Sequence, residues 1–431
     1  MAAVLPRDIL FRAGGATLLR YGVPGLRKAT RGWELGKEIF TRASTGVGVD
    51  RLGVGRVFAA DQLRTEWVDL DADGVRESLG FRLEGARTQL VTDPENFGAW
   101  TVNEGTPGRT SGQSDPFGGI AAYLYEDNDA AGFERIFQTV AFTGDGTKAI
   151  SVFMRQGTSD DGGFGLYDAT AVAWRHQVKV TWAAGVPSLS TVLGSGTRFP
   201  VEAWGGGWYR LSISVPSVVA ANTNAFWVMA TQENVSDTGT VYIFGANAWN
   251  AVFPSTYQGP SGGATVRAAD SLTFPIPWGP QDLTVYAKLA RPAWADASGS
   301  LGIVPRIMEI GQAPGTTSSG RLYIVTQDAS RTWECGIDGS PTDRFATVAV
   351  PAGAMLQLAA QFRALTTGGF VRVDVGSGFG TESLAASAFT SWVDQFVRVG
   401  LNVGADGLDG VLIDLIVAKG LRTLAEMQAV P

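Results

Sequence analysis

The chain has 431 residues, 45% hydrophobic and 17% charged, with 34 basic and 41 acidic side chains (net charge −7), a single histidine and a single cysteine. The acidic balance excludes a general attraction to nucleic-acid backbone. One cysteine, Cys335, excludes an intrachain disulfide framework or a cysteine zinc cluster and is expected as a buried, inert thiol. Length allows two ordinary domains and a smaller element, at roughly 100 to 200 residues per domain. The charged fraction lies below the usual roughly 25%. With 56 glycines and 19 prolines in no collagen-like period, the composition favours short strands joined by tight turns.

The first 40 residues are locally basic: Arg7, Arg12, Arg20, Arg27, Lys28 and Arg31 are opposed only by Asp8 before Glu34. Gly14-Gly15, Pro24-Gly25 and Gly32 break any helical period, so this segment reads as extended. It is either a docking arm for an acidic surface or a solvated terminus. Pro6, Arg7 and Asp8 interrupt the start before a secretory core can form, and no later run approaches the ~18 apolar residues of a membrane span. The expectation is a soluble protein made in a cytoplasm.

From about residue 39 strand patterns begin. Asp69, Asp71, Asp73 and Gly74 spell the opening of a calcium loop, but its twelfth position is Gly80 rather than a bidentate glutamate, which favours a solvated turn. Leu79, Phe81 and Leu83 alternate with polar or small residues at the period of a half-buried strand. Tyr209, Leu211, Ile213 and Val215 do the same, as do Val371, Val373 and Val375. Pro275, Pro277 and Pro280 remove three amide donors within six residues, which predicts a domain boundary there. A helical face is predicted only at Leu421 to Val430.

Three stretches carry a resemblance. Phe40-Thr41-Arg42-Ala43-Ser44-Thr45, followed by Leu79-Gly80-Phe81-Arg82-Leu83-Glu84-Gly85-Ala86-Arg87-Thr88-Gln89-Leu90, resembles the "TRAST" to "LGLLIEGARTNLL" pattern of phage tail and fibre proteins with carbohydrate-binding-like modules. Phe97 to Thr101, Gly207 to Leu211, Val241 to Ala246 and Phe253-Pro254-Ser255-Thr256-Tyr257, continued by Val266-Arg267-Ala268-Ala269-Asp270, are similar to the module ending "GAQLE…PTSYIPT". Here Asn247-Ala248-Trp249 replaces Gln-Leu-Glu. The stretch from about Asp282 onward looks like a concanavalin or laminin-G-like sandwich.

The resemblance implies an all-β protein: a small N-terminal attachment segment or β-domain (1–95), then two jelly-roll β-sandwiches, one carbohydrate-binding-like (96–275) and one concanavalin/laminin-G-like (276–431). It implies a virion surface component of a tailed phage or gene-transfer particle, synthesised in a bacterial cytoplasm. Its expected partners are other virion proteins, through the basic residues of the first segment, and host surface polysaccharide, with a homo-oligomer, in the family often a trimer. Nucleic acid, membrane insertion, cofactors and metals are not expected.

Catalytic motifs are sparse. His176 sits in a predicted strand, and neither a nucleophile elbow nor a phosphate loop occurs. A paired-carboxylate polysaccharide depolymerase remains the alternative enzyme reading, and a decoration or baseplate adaptor the structural one. The 13 tryptophans support sugar binding, since an indole stacks on the apolar face of a sugar ring; they equally suit the space between sheets. Trp174, Trp182 and Trp204, in polar or glycine-rich surroundings, are the candidates for an exposed platform.

Overall fold

In the computed structural model, residues 39–68, 76–232, 236–259 and 265–275 are described almost throughout, with individual strands between 12 and 21 and between 282 and 419 and four residues from 421 to 427. The fold is all-β, as read from the sequence, and its large sheets form two sandwiches. Met427 N–H donates to the Thr423 carbonyl at 3.1 Å, one turn of the predicted C-terminal helix.

The first sandwich has an eight-stranded and a six-stranded antiparallel sheet. The former orders Gly108–Gln113, Ala122–Asp127, Gly239–Trp249, Gly146–Gln156, Tyr209–Val218 and Glu202–Ala203, with Arg87–Gln89 and Thr265–Arg267 attached at Trp249. The latter orders Val186–Gly194, Ala173–Ala183, Asp161–Asp168, Asn224–Met229, Arg135–Val140 and Thr101–Asn103. Ile150, Val152, Leu211 and Ile213 from one sheet meet Phe164, Val178, Val180 and Phe226 from the other.

Leu211, Ile213 and Val215 face this core as their alternation predicts, yet Arg210, Ser212 and Ser214 between them are buried too. The eight-stranded sheet is covered on its second face as well. There the hairpin Gly46–Val49 and Gly55–Phe58 brings Val47 and Val49 against Phe153, Trp204, Trp208, Phe244 and Tyr257. The hairpin docks backbone to backbone, with Gly205 N–H donating to the Gly53 carbonyl at 2.6 Å. Gly53 has φ +80, and a Cβ there would lie 2.9 Å from Gly205 N, so only glycine fits.

The second sandwich is assembled from both ends of the chain. Its nine-stranded sheet joins Arg12–Ala13, Ala16–Tyr21, Arg64–Val68 and Glu77–Leu83 to Leu283–Ala290, Met355–Phe362, Phe370–Asp374, Ser383–Leu384 and Gly410–Lys419. Its seven-stranded sheet adds Ile39–Thr41 and Ser271–Pro275 to Arg306–Ile310, Arg321–Thr326, Thr332–Asp338, Arg344–Ala349 and Phe396–Val399. Leu83, Val285 and Val417 pack against Ile310, Ile324, Val399 and a fully buried Cys335, whose thiol pKa burial raises.

This differs from the expected division at 95 and 275. Residues 1–95 supply strands to the C-terminal sheets, and the first sandwich is an insertion running from about Arg87 to Arg267. Ser271–Pro275, where the prolines predict a boundary, pairs with a strand on each side; Pro275 is its last residue, where a missing amide costs least. The basic segment is not wholly an extended arm either. Arg12 and Arg20 lie on strands, and Ala16–Tyr21 pairs with Gly410–Lys419. Arg7, Arg27, Lys28 and Arg31 fall outside the described residues, as do Asp69, Asp71, Asp73 and Gly74.

Where the sandwiches meet, five buried charged residues interlock. Asp270 takes Arg42 at 3.1 Å and Arg64 at 2.5 Å; Glu84 takes Arg64 at 2.7 Å; Arg267 lies 3.7 Å from Glu84 and 3.8 Å from Asp270. Thr256 donates to Glu84 through its N–H at 2.9 Å and its hydroxyl at 2.8 Å. Glu84 N–H donates to the Asp270 carboxylate at 2.9 Å, while Asp270 N–H donates to the Glu84 carbonyl at 2.8 Å. Burial by itself would raise the Glu84 carboxyl, but Arg267, Arg64 and Arg82 hold it well below the ordinary range.

Removing one charge from such a set leaves its partners buried and uncompensated. Asp270→Asn is therefore expected to lower the unfolding free energy by about 3–5 kcal/mol in urea titration. Arg56→Ala, which breaks the largely exposed 2.8 Å pair with Asp50, should change it by less than about 1 kcal/mol.

Candidate functional site

The six-stranded sheet turns one face inward, and because side chains alternate along a strand, the intervening residues form an outer face. Phe137, Trp227, Gly165 and Gln177 stand in register across four strands, and Tyr167 stands opposite Trp174 nearby. Phe137 stacks on Trp227 with ring centroids 4.7 Å apart and planes inclined by 19°. Trp174 meets Trp227 edge-on at 5.7 Å, and Tyr167 meets Trp174 at 5.3 Å and Trp227 at 5.7 Å. Trp227 is only 7% exposed, whereas Phe137, Tyr167 and Trp174 around it are half-buried. The result is a four-ring apolar surface on a rigid sheet.

Beside it, Gly163 and Gly165 leave two outward positions of the middle strand without side chains. Gln177, 1% exposed, donates its amide N–H to Gln232 Oε1 at 2.9 Å. Its Oε1 has no hydrogen-bond partner, and neither has the Trp227 indole N–H in the neighbouring strand but one. Lys179 pairs with Asp161 at 3.4 Å, and Gln232 N–H donates to the same carboxylate at 2.9 Å. Burial pushes the Asp161 carboxyl up, with the Gln232 amide and Lys179 opposing.

The hairpin loop bounding the aromatic face is clamped by a buried carboxylate. Asp168 accepts from Ala171 N–H at 2.9 Å, Arg175 Nη2 at 2.5 Å and Asn222 Nδ2 at 2.7 Å. Burial would raise this carboxyl, but those donors hold it below the ordinary range. Within the loop, Val172 is 76% exposed and has φ +53. A left-handed conformation is strained for a β-branched residue.

Of the three tryptophans proposed from sequence, only Trp174 belongs to this face. Trp182, 6% exposed, points into the core between the sheets and packs near Tyr209, because its position along the strand has the same parity as Val178 and Val180. Trp204, 7% exposed, lies beneath the hairpin and meets Phe153 edge-on at 4.7 Å. The glycines after Trp204, which suggested exposure, instead admit the hairpin backbone. Sequence reading passed over Phe137, Tyr167 and Trp227. Trp227 is hidden in the apolar run Ala225 to Met229, where no alternation tells inward from outward; the pair Gly163 and Gly165, alternating with Phe164 and Leu166, was the available signal.

His176 is fully buried on the inward side. Its Nδ1 lies 2.9 Å from the Ser214 carbonyl, which only accepts, so Nδ1 carries the proton; Nε2 lies 3.2 Å from the Thr191 hydroxyl and accepts from it. It ties the two sheets together. Among the described residues, no group of three or more His, Cys, Asp or Glu is placed to hold a metal ion, and no helix is long and apolar enough to cross a membrane.

No family model and no curated protein matches the chain. Among solved structures, the mouse laminin alpha1 chain, domains LG4-5, is similar over 74% of this chain and 93% of that one, at 10% identity and a TM-score of 0.21. An overlap this slight has no bearing on function.

Val172→Gly should relieve the left-handed strain and raise stability by about 1 kcal/mol, read as an upward shift in the urea midpoint. Burial lowers the His176 pKa, so the unfolded chain binds this proton more tightly than the folded one. Stability is therefore full above roughly pH 6.5 and declines as pH falls from there through the lower folded value. His176→Gln should flatten that part of a stability-versus-pH curve.

Proposed function

We propose that this protein is a non-enzymatic surface component of a tailed phage or phage-derived particle, a head spike or fibre or a tail fibre, that holds host surface polysaccharide on the first sandwich. The observation that supports this reading is the four-ring surface of Phe137, Tyr167, Trp174 and Trp227 on the outer face of the six-stranded sheet. Sugar rings stack on such surfaces through their C–H faces, while amides and hydroxyls at the rim meet their hydroxyl groups. The N-terminal basic segment is the proposed link to other virion proteins. A homo-oligomer would multiply weak sites into useful avidity.

A structural adaptor that binds neighbouring proteins and no sugar is the second reading. It is favoured by the exposed apolar side chains Leu52 and Val57 on the hairpin and Ile120 on the adjoining loop.

Purified protein is expected to bind intact host cells and their extracted polysaccharide saturably. Trp174→Ala should weaken that binding about tenfold, the equivalent of one lost ring stack, while the protein stays folded and loses only about 1–2 kcal/mol of stability with its two ring contacts. Trp182→Ala and Trp204→Ala, which empty core positions, should cost about 3–5 kcal/mol of stability instead. Absence of binding by the native oligomer would transfer the assignment to the adaptor.

A further inference from the structure

Resting on the glycan reading above, we infer that the polysaccharide is neutral, free of uronate, sialate or phosphate groups. An anionic polymer is held by guanidinium or ammonium groups with charge to spare. Two cations near the aromatic face are matched by carboxylates. Lys179 lies 3.4 Å from Asp161, and Arg175 lies 2.5 Å from the buried Asp168. The third, Arg135, lies over the Phe133 ring at 4.6 Å and is partly buried there.

The polar groups that remain are amides and hydroxyls, among them Asn103, Gln177, Ser188 and Ser190. Two of the polar atoms carry more information. The Trp227 indole N–H can only donate and Gln177 Oε1 can only accept; both lack partners and stand on either side of the bare Gly165. The orientation of the Gln177 amide is set by its donation to Gln232 Oε1. Both atoms lie buried beneath the face; a sugar hydroxyl, which both donates and accepts, is compatible with either, whereas a carboxylate or phosphate would face Gln177 Oε1 acceptor to acceptor. With the chain at −7 overall, no long-range field draws in an anionic polymer.

The test is binding of the full-length protein, by calorimetry and affinity electrophoresis, to neutral polymers (dextran, mannan, galactan) and acidic ones (alginate, hyaluronate, polysialate) at about 50 and about 500 mM NaCl, where screening differs about threefold in length. The expected result is binding to at least one neutral polymer, with affinity changing less than about twofold between the two salts and falling about tenfold in Trp174→Ala. Preferential binding of an acidic polymer, weakened about tenfold or more by the added salt, would overturn the inference while leaving the glycan reading intact. If neither class binds, the glycan reading falls, and this inference with it.

Discussion

The buried ion-pair node of Arg42, Arg64, Glu84, Arg267 and Asp270 is the constraint on which the assembly depends. Each charge taken out of water costs several kcal/mol, and the attraction of its partners offsets that only when all of them are present in good geometry. The five residues come from the strand-turn segments near 42 and 64, the end of the strand at 84, and the link at 267–270 that leads back out of the inserted sandwich. The node is complete only with all of those segments in place. Apolar packing between sandwiches is tolerant of small slips; this node is not, and so it fixes how the insertion sits on the sheets that flank it. Phe199, Val252 and Phe253, from connections of the first sandwich, share the apolar core of the second and make the junction continuous.

That junction also decides which faces are free. The hairpin at 46–58 and the segment at 253–258 lie next to the node and cover the second face of the eight-stranded sheet. Arg210 shows the consequence: it sits on a strand whose alternation predicts a solvent-facing charge, yet it lies beneath the covering segment, 5.5 Å over the Trp249 ring and bonded to Ser151 at 3.2 Å and to the Ser255 carbonyl. With that sheet buried on both sides, the aromatic residues on its outer face become core. The six-stranded sheet, farther from the junction, keeps an outer face on which aromatic rings contact one another. The candidate binding surface is thus set by where the cover ends.

The motifs that carried the resemblance acquire a physical meaning. Arg42 of the first stretch, Glu84 of the second, Ser255 and Thr256 of the third, and Arg267 and Asp270 of its continuation are far apart in sequence and meet at one place. Asn247, at the position where the sequence departs from the pattern it resembles, is buried and donates its amide to the Gln258 carbonyl at 2.8 Å. These residues build the junction and do not touch the aromatic face. Their value lies in topology rather than in ligand contact.

Strand content, the buried cysteine and the alternating cores of strands such as Tyr209–Val218 could be read from sequence, because period-two patterning and turn residues are local properties of the chain. Which strands pair with which could not, since a strand at residue 79 and one at 410 look the same whether they share a sheet or belong to separate domains. Nor could the sequence sort its tryptophans. Trp174, Trp182 and Trp204 have similar neighbours along the chain; strand parity and the cover over each face, both products of long-range pairing, place the first on the outside and the other two within.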